Sequence, residues 1–342
     1  MVKLHLFSLL CLAISSVFVT ATPTPEADIE KRQTATGSAY GYVYFQGEGL
    51  SNGEQIYFAV SKSNSPVSWN VVNGGRPVLT STLGTKGLRD PFIIRDPSGS
   101  KFYVIATDLR MFGGNQTWDQ ASRHGSLSLA IWESPDLKSW SAQRLVQVSP
   151  ATAGMSWAPE ATWDPSTQKF IVYWASNLFS ASDTGHTGST YSRIMYATTT
   201  DFKTFSTAQP WIDKGTAIID TTVAFDSASG YYHRFSKING LILQERSTAL
   251  FGTWQTVANG VGQAQYGSVE GPLIFLSNVY SGVWHLWLDG INPQGYHPLE
   301  TGNITSGVWT ASTGYVLPPN PRHGTVFSIS ATEAANLAAV SV

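Results

Sequence analysis

The stretch from 89 to 140 contains RDPFIIRD (89–96), KFYVIATDL (101–109) and LSLAIWESPDLKSW (127–140) in that order. Each run is short, rich in β-branched and aromatic residues, and bounded by Gly, Ser, Asn, Asp or Pro turns, which is strand-and-turn chemistry. The same order returns further along. WAPEATWD (157–164) precedes KFIVYWAS (169–176) and RIMYATTTDFKTF (193–205). IIDTTVAFD (218–226) precedes YYHRFSK (231–237) and LILQERSTALFGTW (241–254). VEGPLIFL (269–276) precedes VWHLWLDG (283–290) and a weaker third run near GVWTAS (307–312). Every unit has a first strand, an aromatic second strand, and a third that carries Ser or Thr with Trp or Phe shortly after.

Units of roughly 45 to 70 residues with about four strands each predict propeller blades. Four units are complete, and a fifth is divided between the chain ends. RHGTVFSIS (322–330) reads as its first strand, YGYVYFQG (40–47) as its second and EQIYFAVSKSNSPVSW (54–69) as its third. The predicted fold is an all-β, five-bladed propeller closed by N- and C-terminal strands. Helical periodicity is nearly absent; the exception is AANLAAV, preceded by the capping box Ser330-Ala331-Thr332-Glu333.

The chain begins with Lys3 and His5 before an almost uninterrupted apolar run from Leu6 to Val19, then Val19-Thr20-Ala21. That pattern reads as a secretory signal peptide over 1–21, too short to span a membrane. TPTPEADIEKR follows as a propeptide over 22–32, ending in the dibasic pair Lys31-Arg32, so the mature chain is expected to begin at Gln33. The single cysteine, Cys11, falls in the signal peptide, which leaves the expected 33–342 catalytic domain without a disulfide. A core of about 310 residues is large enough to hold by burial alone. Sequons at Asn115 and Asn303 fit an extracellular glycoprotein.

Net charge is −2 and charged residues make up only 13% of the chain, against about 25% in ordinary domains. No basic patch recruits nucleic acid, and no later stretch would cross a membrane. Twelve Trp among 12% aromatic residues suit either a handler of neutral sugars or an aromatic β core.

The first strands of a propeller line its axis. The residues at their heads read Asp90, Glu160, Asp220, Glu270 and, in the divided blade, His323. Singly each has an ordinary reading. Asp90-Pro91 makes a turn, Glu160 can pair with a base, Asp220 can bond nearby backbone, and His323 can be structural. Together they crowd carboxylates into one pocket, which raises the proton affinity of at least one. A protonated and an ionised carboxyl are what glycosidic hydrolysis needs.

The order Asp-Pro, then Ile-Ile-Asp, then Glu-Gly-Pro at successive blade heads resembles glycoside hydrolase family 43, over roughly residues 40 to 330. The resemblance implies an inverting glycoside hydrolase with Asp90 as general base, Asp220 as the residue that orients the acid and raises its pKa, and Glu270 as general acid. WAPE stands where the family commonly has WAPD, so Glu160 stays outside the catalytic trio and is expected, with Trp157, Arg234 and His323, to contact substrate. Arg89 is read alongside Arg234 as a group that holds acids or substrate hydroxyls, or is structural. No cofactor is expected to be required; in some members a channel histidine contacts calcium, which gives His323 an alternative as a metal contact. The expected partner is an arabinose-containing oligo- or polysaccharide, handled by a secreted monomer. An α-L-arabinofuranosidase is the leading activity, with endo-1,5-α-L-arabinanase, β-xylosidase and β-galactofuranosidase as alternatives. A fructan hydrolase is disfavoured because Asn-Asp-Pro is missing, and a sialidase because Ser-x-Asp-x-Gly repeats are. A propeller lectin would repeat one site per blade, whereas these blade heads differ.

Overall fold

Alternating apolar and polar residues with many Val, Ile, Tyr, Phe and Trp suit a pleated, buried surface, and the runs picked out above do form strands. The computed structural model describes residues 37–342. Within it lie β1 (Ala39–Phe45), β2 (Tyr57–Ser63) and β3 (Ser65–Val71), then β4 (Leu88–Arg95), β5 (Phe102–Asp108), β6 (Ser128–Ser134) and β7 (Arg144–Gln147). The next blade holds β8 (Trp157–Asp164), β9 (Lys169–Asn177), β10 (Ser192–Thr199) and β11 (Gln209–Ile212). It is followed by β12 (Ile218–Asp226), β13 (Tyr231–Ile238), β14 (Leu241–Ser247) and β15 (Gln255–Asn259). The last complete blade holds β16 (Val269–Leu276), β17 (Trp284–Ile291), β18 (Gln294–Thr301) and β19 (Thr310–Ala311), before β20 (Arg322–Ile329). These form five four-stranded sheets. The divided blade runs β20-β1-β2-β3, so strands from the two ends of the chain share one antiparallel ladder, Gly41 opposite Phe327 and Val43 opposite Thr325.

Two runs divide differently from their sequence reading. In the fourth unit the third strand is β18, and the run near 307–312 contributes only the two-residue β19. In the divided blade EQIYFAVSKSNSPVSW supplies two strands, β2 and most of β3, joined by a turn at Asn64. The expected signal peptide, propeptide, Cys11 and mature start at Gln33 lie outside the described residues. No helix among the described residues is long and apolar enough to cross a membrane.

Apolar clusters fill the seams between blades. The seam that closes the ring is aromatic: Tyr42, Tyr44, Tyr57 and Trp69 of the divided blade meet Phe275, Trp287 and Tyr296 of the fourth. Tyr42 and Trp287 pack edge to face at 5.6 Å between ring centroids. Burying one large apolar side chain contributes about 1.5–3 kcal/mol, so two such rings already match the ~2–4 kcal/mol of a typical disulfide. The expected capping box forms: Ser330 Oγ accepts the Glu333 N–H at 3.3 Å, and Glu333 Oε2 accepts the Ser330 N–H at 2.9 Å. Glu333 also pairs with Arg95 of β4. The helix Ala331–Ala338 thereby ties the divided blade to its other neighbour, with Leu337 buried between them.

Candidate active site

Each first strand carries a bulge at the same depth. In β4 the register with β5 shifts between Arg89 and Phe92, leaving Asp90 and Pro91 unpaired. The shift recurs between Trp157 and Glu160, between Ile219 and Thr222, and between Glu270 and Leu273. In the divided blade it falls between Arg322 and Thr325, opposite Phe45 and Val43. Asp90, Ala158, Asp220 and Gly271 take positive φ there, from 48° to 54°. Asp and Gly adopt that region more readily than most residues, and Pro91, Pro159 and Pro272 follow in a slot that needs no ladder N–H.

The blade heads are therefore not five equivalents. Asp90, Asp220 and His323 share the first bulge position with Ala158 and Gly271. Glu270 stands one residue earlier, in a second ring with Arg89, Trp157, Ile219 and Arg322. Glu160 stands two residues after Ala158, in a deeper layer. The first two rings supply Arg89, Asp90, Trp157, Ile219, Asp220, Glu270, Arg322 and His323 to an open funnel of about 330 Å³. Phe45, Leu109, Trp118 and Ile291 add apolar wall, and Glu48, Asp289 and Gln294 add polar wall.

Within this funnel the three expected acids have different surroundings. Asp90 Oδ2 accepts a hydrogen bond from Thr107 Oγ1 at 2.9 Å, and Thr107 in turn accepts the Ala158 N–H at 2.8 Å. His323 Nδ1 lies 3.5 Å from Asp90 Oδ1. Burial alone would raise the Asp90 pKa, but the hydrogen bond and charge of His323, together with Arg89 and Thr107, outweigh it and hold the carboxyl low. Burial likewise works against the charge on His323, yet Asp90, Asp220 and Glu160 push its pKa up to about 9. Asp220 goes the other way. Burial first, then the charges of Glu270 and Asp90, raise it to about 6 against the pull of His323 and Lys237. One site thus presents an ionised acid, an imidazolium and an acid of raised proton affinity.

Glu270 is held by cations. Lys237 Nζ lies 2.5 Å from Oε2, and Arg322 Nη2 lies 3.3 Å from Oε1. Arg322 is itself fixed by Asp289, with Nε 2.8 Å from Oδ2. The backbone after Glu270 is fixed too. Gly271 N–H donates to Asp220 Oδ2 at 3.2 Å, and the Gly271 carbonyl accepts the Tyr296 hydroxyl at 2.9 Å. The same hydroxyl accepts the Gly324 N–H at 2.9 Å, so Tyr296 fastens two neighbouring bulges together. A Cβ on Gly271 would come within 2.8 Å of the His323 ring, at φ +48°. Gly271→Ala is therefore expected to destabilise the fold by about 1–3 kcal/mol and to reduce turnover, read as a lower Tm and kcat; a wild-type Tm would refute this close packing.

A family model described as a probable glycosyl hydrolase domain, of the family-43-related type, matches residues 36–335. The chain belongs to the family-43-related glycosyl hydrolases. It is similar to an α-L-arabinofuranosidase of Bifidobacterium longum subsp. longum, with 34% identity over 230 residues, covering 63% of this chain and 21% of that protein. The chain thus spans about a fifth of the length of that curated relative. Among solved structures it resembles a thermostable family-43 glycoside hydrolase (TM-score 0.48, 17% identity, 72% of this chain and 81% of that one). It also resembles an exo-β-1,3-galactanase from Phanerochaete chrysosporium (TM-score 0.45, 15% identity, 66% and 49%). These structural likenesses are too loose to bear on the site.

Against the expectations for a family-43-related site, Asp90, Asp220, Glu270, Trp157 and His323 come together, while two residues do not. Arg234 is buried away from the funnel, 2.7 Å from Glu245 and stacked over Trp254 at 4.1 Å. Its guanidinium links β13 to β14 through Glu245. Glu160 lies below the funnel wall, accepting the Tyr173 hydroxyl at 3.2 Å; burial pushes its pKa to about 8 despite His323, Thr222 and Tyr173. Arg89 holds acids, at 2.8 Å from Glu48 and 2.9 Å from Glu54. Reading the sequence missed Lys237, Arg322, Asp289, Thr107 and Trp118. Arg322 could have been found by aligning first strands on their bulges, since it falls in the slot of Arg89 and Glu270. His323 Nδ1 faces Asp90 Oδ1 at 3.5 Å, and no group of three or more His, Cys, Asp or Glu side chains is gathered for a metal among the described residues. Asn115 and Asn303 are both exposed.

Proposed function

We propose that this protein is an inverting glycoside hydrolase that releases arabinofuranosyl units from plant cell-wall polysaccharide. The observation that carries the reading is the meeting of Asp90, Asp220 and Glu270 in one open funnel with distinct electrostatic surroundings. Similarity to an α-L-arabinofuranosidase supports the sugar. Asp90, held ionised, takes a proton from a water that attacks the sugar from one face. Glu270 protonates the departing glycosidic oxygen on the other. Asp220 adds negative charge beside Glu270 and fixes the backbone that follows it. Trp157 and Trp118, edge to face at 6.1 Å, form an apolar wall against which a sugar ring packs. The reading includes secretion, with glycans on the exposed Asn115 and Asn303.

Assays with aryl α-L-arabinofuranoside, β-D-xyloside and β-D-galactofuranoside, then arabinan and arabinoxylan, test the sugar. Hydrolysis of the arabinofuranoside is expected to lead. NMR of the first-formed sugar is expected to show the anomer opposite to that of the substrate; retention would overturn the base assignment of Asp90.

Asp220 also sets a pH prediction. Its carboxylate stands beside the proposed proton donor, Glu270, and accepts the N–H of the residue that follows it. Asp220→Asn removes the carboxylate's charge, so the alkaline limb of the kcat/KM profile is expected to move to lower pH. An unmoved limb removes Asp220 from this role.

A further inference from the structure

Resting on the reading of Glu270 as the proton donor, we infer that Lys237 is a positioning residue that pins Glu270 Oε2 from behind the funnel wall and leaves Oε1 as the oxygen that carries the proton. Lys237 is the penultimate residue of β13, opposite Ile219 of β12, one blade away from Glu270. Its Nζ lies 2.5 Å from Oε2, and its side chain is only 18% exposed. Lys237 is not among the residues lining the funnel, whereas Glu270 and Arg322 are. It therefore acts through Glu270.

The two carboxylate oxygens are held unequally. Oε2 has the short contact to the half-buried ammonium, while Oε1 has the longer one, 3.3 Å, to Arg322. Arg322 is already committed through Nε to both oxygens of Asp289, at 2.9 and 2.8 Å. An arriving glycosidic oxygen can displace the weaker contact and leave the stronger one as an anchor. Glutamate has three side-chain torsions to fix, and general-acid catalysis depends on placement to within a fraction of an ångström. A misplacement of about 1 Å costs about 10²-fold in rate.

The charged groups facing Glu270 are Lys237 from β13, Arg322 from β20, Asp220 from β12 and Asp289 from β17. Removing Lys237 removes a cation and leaves both acids, which shifts the alkaline limb in the direction opposite to Asp220→Asn.

The test uses the full chain and two substrates, arabinotriose and nitrophenyl α-L-arabinofuranoside. Lys237→Met is expected to lower kcat on arabinotriose by about 10²-fold with KM little changed, to lower kcat on the aryl glycoside much less, and to move the alkaline limb upward. Lys237→Arg, which keeps the cation, restores most of the loss. Wild-type kinetics in Lys237→Met, or equal losses on both substrates with an unmoved limb, would overturn the inference. If Lys237→Met does not fold, Lys237→Gln is read by the same criteria. Glu270→Gln is measured alongside. If it keeps the wild-type rate on arabinotriose, the proton-donor reading itself fails; if it loses rate while the Lys237 variants do not, only the inference about Lys237 fails.

Discussion

Glu270→Ala is expected to lower kcat on arabinotriose by about 10²–10⁴-fold, and on nitrophenyl α-L-arabinofuranoside by far less. A sugar alkoxide departs only if it receives a proton as the bond breaks, whereas nitrophenolate leaves without one. The loss should therefore track the leaving group. Alanine also leaves Lys237 and Arg322 facing each other without the carboxylate between them, so Glu270→Gln, which keeps the shape, is the control for local collapse. Equal losses on the two substrates would remove Glu270 as the donor. A wild-type protein that binds arabinotriose but cleaves neither substrate would make the funnel a lectin site.

Asp90→Ala is expected to behave differently: a loss of about 10²–10⁴-fold on both substrates, because water needs activation whatever departs. Asp90 is well placed to show it. Thr107 and His323 hold its two oxygens, and the net of these contacts keeps the carboxyl ionised despite burial. Asp90→Asn keeps the Thr107 contact while removing the charge, so it separates basicity from packing. If the Asp90 and Glu270 variants give the same pattern across the two substrates, their roles are misassigned. Full activity of Asp90→Asn would exclude it as the base.

Most of the fold was legible because first strands such as RDPFIIRD and second strands such as KFIVYWAS repeat in order, and that order follows from blade geometry. Where it failed, the cause was local. Gly295 and Pro298 interrupt the apolar pattern of β18, so QGYHPLET does not read as a strand. The site was legible in composition but not in register. Glu270 reads as the counterpart of Asp90 because both are acids at the head of an apolar run. A bulge has no period to announce it, and one extra residue moves a side chain from one ring to the next. Aligning RDP, WAP and EGP on their prolines would have shown that Gly271 answers to Asp90 and that Glu270 answers to Arg89. Lys237 was invisible for another reason. Its partner lies in the next blade, 33 positions along the chain, and nothing in YYHRFSK points there.

The divided blade also has a consequence for the order in which the protein is made. Asp90, Asp220 and Glu270 are all translated before β20, the last strand to leave the ribosome among those described. Yet the imidazolium beside Asp90 and the guanidinium beside Glu270 both come from β20, as His323 and Arg322. A nascent chain that stops short of that strand holds its acids without two of their cations and has an open ring with an unpaired β1. On the proposed reading, the site is completed only by the final pairing step, and a chain interrupted before β20 is expected to show no hydrolysis.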